Sequence, residues 1–148
     1  MIKQLSVFIE NRTGSLMDVT TALTEAHINI RAVSSSDTPE FAILRLIVDK
    51  PEEAKNYLVS KGFIVRVSEV IGVELEDKQG NLNHMLTILA QGQIDIHYIY
   101  SFIIRDGLAP VMVFHTNDTK RAVDILEKAN VKVVDEKGGD TDAMGREI

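Results

Sequence analysis

The segment Glu10-Asn11-Arg12-Thr13-Gly14-Ser15-Leu16 returns 66 residues later as Glu76-Asp77-Lys78-Gln79-Gly80-Asn81-Leu82, and Ile28-Asn29-Ile30 returns as Ile94-Asp95-Ile96. Between residues 2–35 and 68–101 the same shift aligns Val7 with Val73, Thr21 with Thr87, Leu23 with Leu89 and Ser35 with Ser101. Further along the shift becomes 68, aligning Ala54 with Ala122, Leu58 with Leu126 and Val65 with Val133. Self-similarity at a fixed period means one small unit folded twice. The 148 residues suit two domains of about 70 each and are too few for a large multi-domain enzyme.

Within the first copy, Leu5, Val7 and Ile9 alternate with Gln4, Ser6 and Phe8, the period of a strand. After Gly14, the positions Leu16, Val19, Leu23 and Ala26 recur at helical spacing, with Ser15 available as a cap. Runs Ile28 to Ser35 and Phe41 to Val48 predict a hairpin; Pro51 opens a second helix through Ala54, Tyr57 and Leu58; Phe63 to Val67 predicts a closing strand. The second copy reads alike. A strand near Val70 to Leu75 precedes a helix with Leu82, Met85, Leu86 and Leu89. Strands Ile94 to Ile104 and Pro110 to Thr116 follow, joined by a tight Asp106-Gly107 turn. A helix through Ala122, Ile125, Leu126 and Ala129 and a strand Val131 to Val134 end the copy.

The expected fold is therefore α+β: two ferredoxin-like βαββαβ domains, antiparallel sheets with helices on one face, paired side by side. The expected boundaries are 1–68, 69–135 and a polar, glycine-rich flexible tail at 136–148. Apolar residues on both faces of the strands, among them Phe41, Ile43, Ile47, Tyr98, Tyr100 and Phe102, predict that the face away from the helices packs against another copy or subunit.

Composition excludes several function classes. The chain has no cysteine, so a disulfide framework, a thiolate nucleophile and Cys-ligated metals are ruled out. A net charge of -6 opposes the phosphate neutralisation that nucleic-acid binding needs, and no apolar run approaches the roughly 18–20 residues of a membrane span. The expectation is a cytoplasmic protein without a nucleic-acid or membrane partner. His27, His84, His97 and His115 show no paired metal spacing, and the Asp106-Gly107 register places His97 and His115 on opposite faces. The run Ser34 to Ser36 lacks a nucleophile elbow and receives no nucleophilic role. No phosphate-binding glycine loop is present, and neither metal nor cofactor is expected.

What remains is the glycine turn that opens a helix in each copy. A helix N-terminus presents unpaired N–H groups and partial positive charge, so it can hold a small carboxylate. The same glycines also serve a plain turn, with Asn11 and Asp77 bracing it through side-chain bonds to backbone. Fifteen residues after each glycine another polar side chain, Asn29 or Asp95, opens the second strand.

The sequence Asn11-Arg12-Thr13-Gly14-Ser15-Leu16, an amphipathic helix, and then Ile28-Asn29-Ile30 in a βαββαβ unit resembles the ACT domain, a small amino-acid-binding regulatory module, and does so twice over about 135 residues. The resemblance implies a ligand site between paired domains, touched by the glycine turn and the start of the second strand. Carried over, the candidates are Asn11, Arg12, Thr13, Gly14, Ser15, Leu16, Asn29 and Ile30 in the first copy, and Asp77, Lys78, Gln79, Gly80, Asn81, Leu82, Asp95 and Ile96 in the second. Asn donates and accepts whereas ionised Asp only accepts, so the two sites are not expected to be equivalent. The family often carries proline before the glycine, where this chain has Thr13 and Gln79.

The function so implied is a non-catalytic sensor: a homodimer that binds a free amino acid and signals to a regulated enzyme or regulator. A small enzyme on a ferredoxin-like fold, of acylphosphatase or mutase type, is the alternative, with only Arg12 and Lys78 as cations at the turns. An RNA-binding module would draw on Tyr98, Tyr100 and Phe102, against the acidic charge.

Overall fold

The computed structural model describes residues 1–102 and 109–134. The expected Asp106-Gly107 turn, the strand end at Ile103 and Ile104, and the tail 136–148 lie outside the described residues. The chain divides into two compact units, Lys3–Ser68 and Met1–Ile2 together with the chain from Glu69 onward.

The first unit holds β1 (Ile2–Glu10, from Lys3), α1 (Ser15–Glu25), β2 (Ile30–Asp37), β3 (Phe41–Val48), α2 (Pro51–Ser60) and the opening of β4 (Ile64–Glu74). Its strands run in the order β2-β3-β1-β4. Antiparallel pairing of β1 with β3 sets Leu5 opposite Leu46, Val7 opposite Leu44 and Ile9 opposite Ala42. All six belong to one buried cluster with Val19, Ala22 and Leu23 of α1 and Ala54 and Leu58 of α2. Period 2 on the strands and period 3.6 on the helices aim these side chains at one another. Each large aliphatic chain so buried contributes roughly 1.5–3 kcal/mol.

The second unit repeats the plan with the rest of β4, then α3 (Asn81–Gln91), β5 (Ile96–Ser101), β6 (Val111–Thr116), α4 (Thr119–Lys128) and β7 (Lys132–Val134). β5 pairs with β6, β6 with β4, and β7 also with β4. Its core gathers Ile71 and Val73 of β4, Met85 and Leu89 of α3, Phe114 of β6, and Ala122 and Leu126 of α4. Both units are thus βαββαβ with two helices on one sheet face, as the repeat predicts.

Helix ends are built alike. After α1, α2, α3 and α4 the chain passes through one left-handed residue: His27 (φ 57°), Gly62 (φ 92°), Gln93 (φ 58°) and Asn130 (φ 60°). Each time the next N–H reaches back to a leucine carbonyl: Ile28 to Leu23, Phe63 to Leu58, Ile94 to Leu89 and Val131 to Leu126, at 2.9–3.0 Å. This is the Schellman closure, which satisfies the last helical carbonyls.

Two local expectations give way. The strands expected at 63–67 and 70–75 are one strand, β4, because Ser68 and Glu69 supply no glycine or proline to break extended backbone. Gly72 inside it is there for space: a Cβ at that position would run into Ile2 Cδ1 and lie 3.6 Å from Val134 Cβ. That approach ties the first two residues of the chain to the second unit.

Second, His97 and His115 share a face, with Nδ1 atoms 2.9 Å apart. The register runs Tyr98 opposite His115 but Ile96 opposite Thr116, so His97 is the extra residue of a bulge and is turned toward its neighbour strand. The first unit has the same irregularity between Ile30 and Ala32.

The sheet face turned from the helices is unevenly exposed. Ala32 and Ile47 have no exposed surface, and Tyr100 and Phe102 are buried, while Phe41 stays 40% exposed.

Candidate functional site

The two glycine turns share one backbone design. In the first unit the N–H of Arg12 donates to the Glu10 carbonyl, that of Ser15 to Arg12, and that of Asp18 to Gly14, at 2.9–3.2 Å. In the second, Lys78 donates to Glu76, Asn81 to Lys78 and His84 to Gly80, at 2.8–3.2 Å. Gly14 (φ 86°) and Gly80 (φ 91°) are the helix N-caps, in the left-handed region, and nothing lies within 4 Å of a Cβ added to either. The glycine is therefore required by the backbone angle and not by close approach. Ser15, expected as the cap, is instead the first residue of α1, and its side chain makes no cap bond.

The side chains at the turns differ. Asn11 Nδ2 donates to the Thr38 carbonyl at 3.2 Å, tying the turn to the β2–β3 hairpin. Ser15 is only 5% exposed, and its Oγ has no hydrogen-bond partner. A buried hydroxyl left unbonded costs about 1–3 kcal/mol, so an orphan of this kind calls for an explanation. Its counterpart Asn81 is engaged: Nδ2 donates to the Glu76 carbonyl at 3.0 Å.

Ser15 lines two adjoining cavities. One, about 210 Å³, is walled by Glu10, Asn11, Arg12, Ser15 and Leu16 on the turn side, and by Ser35, Ser36 and Asp37 of β2, with Ile9 and Ala42 at its base. The other, about 300 Å³, shares Ile9, Glu10, Arg12 and Ser15 and adds Phe8, Asp18, Gly62, Phe63 and Ile64. Arg12 stands in the shared wall. Its Nη2 donates to Asp18 Oδ2 at 2.9 Å, and its Nε lies 3.3 Å from Glu10 Oε2. The hydrogen bond to Asp18, then the charge of Asp18 and finally Glu10 hold the guanidinium still more firmly protonated than usual.

The smaller cavity has a definite polarity. At the α1 end, the first-turn N–H of Leu16 lacks an intrahelical acceptor by helix geometry, and Ser15 and Arg12 line the cavity with it. Glu10 and Asp37 supply negative charge elsewhere on the wall, and Ser35 and Ser36 supply hydroxyls. The wall thus carries hydrogen-bond donors at the helix end and acceptors elsewhere.

Of the residues expected from sequence, Asn11, Arg12, Ser15 and Leu16 meet at this cavity, with Thr13 and Gly14 in the turn between them. Asn29 and Ile30 lie at the opposite end of β2, roughly 20 Å from Ser36 at about 3.3 Å per residue. There Asn29 is clamped: its N–H donates to Asp49 Oδ1 at 3.0 Å and its carbonyl accepts from the Asp49 N–H at 3.1 Å. Asp95 is held by Asn117 in the same way, at 3.0 and 3.2 Å, next to Ile96 at the start of β5. Asp77, Lys78, Gln79, Gly80 and Leu82 are exposed at the second turn. Sequence reasoning missed Ser35, Ser36 and Asp37. The serine run Ser34 to Ser36 is visible in the sequence, but without a nucleophile motif it carries no signal of a binding wall.

Among the described residues no group of three or more His, Asp or Glu side chains is placed to hold a metal ion, and no helix is long and apolar enough to cross a membrane.

Comparison with known proteins matches this geometry to a family. The family model described as an ACT domain pair matches residues 1–141. The crystal structure of protein BT0572 from Bacteroides thetaiotaomicron is 29% identical, covers 90% of this chain and 91% of its own, and superposes with a TM-score of 0.83. The ligand-free regulatory subunit of aspartate kinase from Thermus thermophilus shares the fold at 16% identity, with 86% and 91% coverage and a TM-score of 0.60. Aspartate kinase from Synechocystis does so at 21% identity over 86% of this chain but 24% of its own, with a TM-score of 0.51. No curated protein matches the chain in sequence. With a duplicated βαββαβ unit, a left-handed glycine at each strand-to-helix turn and a family match over nearly its whole length, the chain belongs to the ACT domain pair family of regulatory modules.

Proposed function

We infer that the chain is a non-catalytic amino-acid sensor, built of two ACT-like domains at 1–68 and 69–135 and assembled as a homodimer. It binds a free amino acid at the first glycine turn and reports occupancy to a partner. The observation that carries the reading is Ser15: a buried residue that lines a polar cavity at a helix N-terminus and whose hydroxyl has no hydrogen-bond partner. An α-carboxylate placed against the α1 N–H groups gives that hydroxyl its missing bond, and Glu10 and Asp37 accept from the ammonium. The second turn is not equivalent, because Asn81 is already bonded and Asp77 and Asp95 only accept.

A fold neighbour named as a regulatory subunit of aspartate kinase supports reading the partner as a separate enzyme. Coupling between amino-acid and partner binding is then reciprocal and of about 1–3 kcal/mol. The test is calorimetric titration of the twenty protein amino acids into wild type and Ser15→Ala. The reading expects binding that Ser15→Ala weakens; absence of binding by every amino acid to wild type refutes it.

A further inference from the structure

Asp18 belongs to none of the residues expected to touch a ligand, yet it is the nearest partner of Arg12, at 2.9 Å. Arg12 lines both cavities of the first unit. Asp18 lines only the larger one, and Ser35, Ser36 and Asp37 only the smaller. The guanidinium is therefore committed toward the larger cavity while the proposed ligand enters the smaller.

The commitment is shallow. The Arg12 side chain is 56% exposed and that of Asp18 42%, and ion pairs so open to water are weak. A carboxylate in the smaller cavity offers Arg12 the same planar pair of oxygens that Asp18 does, and it gains the Ser15 hydroxyl and the α1 N–H groups besides.

We propose that Asp18 sets the affinity of the smaller cavity by competing with the ligand carboxylate for Arg12, so that ligand entry transfers the guanidinium from Asp18 to the ligand. This rests on the reading of the cavity as an amino-acid site and adds the residue that tunes it. Asp18 lowers affinity in two ways at once: it occupies the donor that the ligand needs, and it holds a like charge near the incoming carboxylate.

The experiment is calorimetric titration of the full chain with each of the twenty protein amino acids, followed by titration of the tightest into variants. These are Asp18→Asn, Asp18→Ser as a second replacement that removes the charge, Arg12→Gln, and Arg12→Gln combined with Asp18→Asn. Either Asp18 replacement is expected to bind about three- to fivefold tighter than wild type, the reverse of what loss of a binding residue gives. In the Arg12→Gln background, Asp18→Asn is expected to give no gain. Unchanged or weakened affinity in both Asp18 variants, or an equal gain without Arg12, overturns the competition and leaves the cavity reading standing. Failure of every amino acid to bind wild type overturns both.

Discussion

Replacing Gly14 by alanine isolates the cost of one backbone angle. The residue caps α1 at φ 86°, and an added Cβ would meet nothing within 4 Å, so packing contributes nothing to the change. Left-handed backbone costs a residue with a Cβ about 1–2 kcal/mol. Alanine recovers about 0.5–1 kcal/mol because it loses less freedom on folding than glycine does. The net expectation is a loss of about 1 kcal/mol. Gly80, at φ 91° and equally open, carries the same expectation, and the double variant loses about 2 kcal/mol because the two sites share no partner. Gly14→Asn loses less, since asparagine tolerates the left-handed region. Equilibrium urea unfolding measures these differences as midpoint shifts at constant m. A loss beyond about 3 kcal/mol for Gly14→Ala refutes the reasoning by revealing a clash; no loss refutes it by showing that the turn does not need a positive φ.

Gly72→Ala fails for the opposite reason, against Ile2 Cδ1, and costs about 1–3 kcal/mol by overpacking. Adding Ile2→Val removes that methyl group and recovers part of the loss, so a double-mutant cycle read by urea unfolding shows positive coupling. Gln93→Gly relieves a left-handed residue at the end of α3 and raises stability by about 0.5 kcal/mol, measurable as a higher urea midpoint. Asp49→Ala removes the acceptor for the Asn29 N–H and costs about 0.5–1 kcal/mol, with faster amide exchange at residue 29 as its local signature.

The repeat makes most of the fold legible in the sequence alone. Two copies of Gly-x-Leu at a fixed shift located both strand-to-helix turns, and apolar periodicity put α1, α2, α3 and α4 where they stand. What escaped were features set by pairing across strands. The bulge that brings His97 beside His115 leaves no local signature, because alternation of apolar residues does not record an inserted position. The merging of two expected strands into β4 depends on what is missing at Ser68 and Glu69, and absence of a breaker is a weak signal. At the site, the turn was legible as backbone chemistry. Its opposite wall, Ser35 to Asp37, was not, since only the hairpin register carries those hydroxyls back to the start of α1.

The central claim is that the Ser15 hydroxyl is kept unbonded for a ligand. Thermal unfolding of wild type and Ser15→Ala, each with and without the twenty amino acids, tests it most directly. Without ligand, Ser15→Ala melts no lower than wild type, because it removes a buried polar group that has no partner. With a binding amino acid at about 100 times its Kd, wild type gains about 2.7 kcal/mol and melts roughly 5–10 °C higher, and Ser15→Ala gains clearly less. Equal ligand-induced shifts in the two proteins, or no shift in wild type with any amino acid, contradict the account.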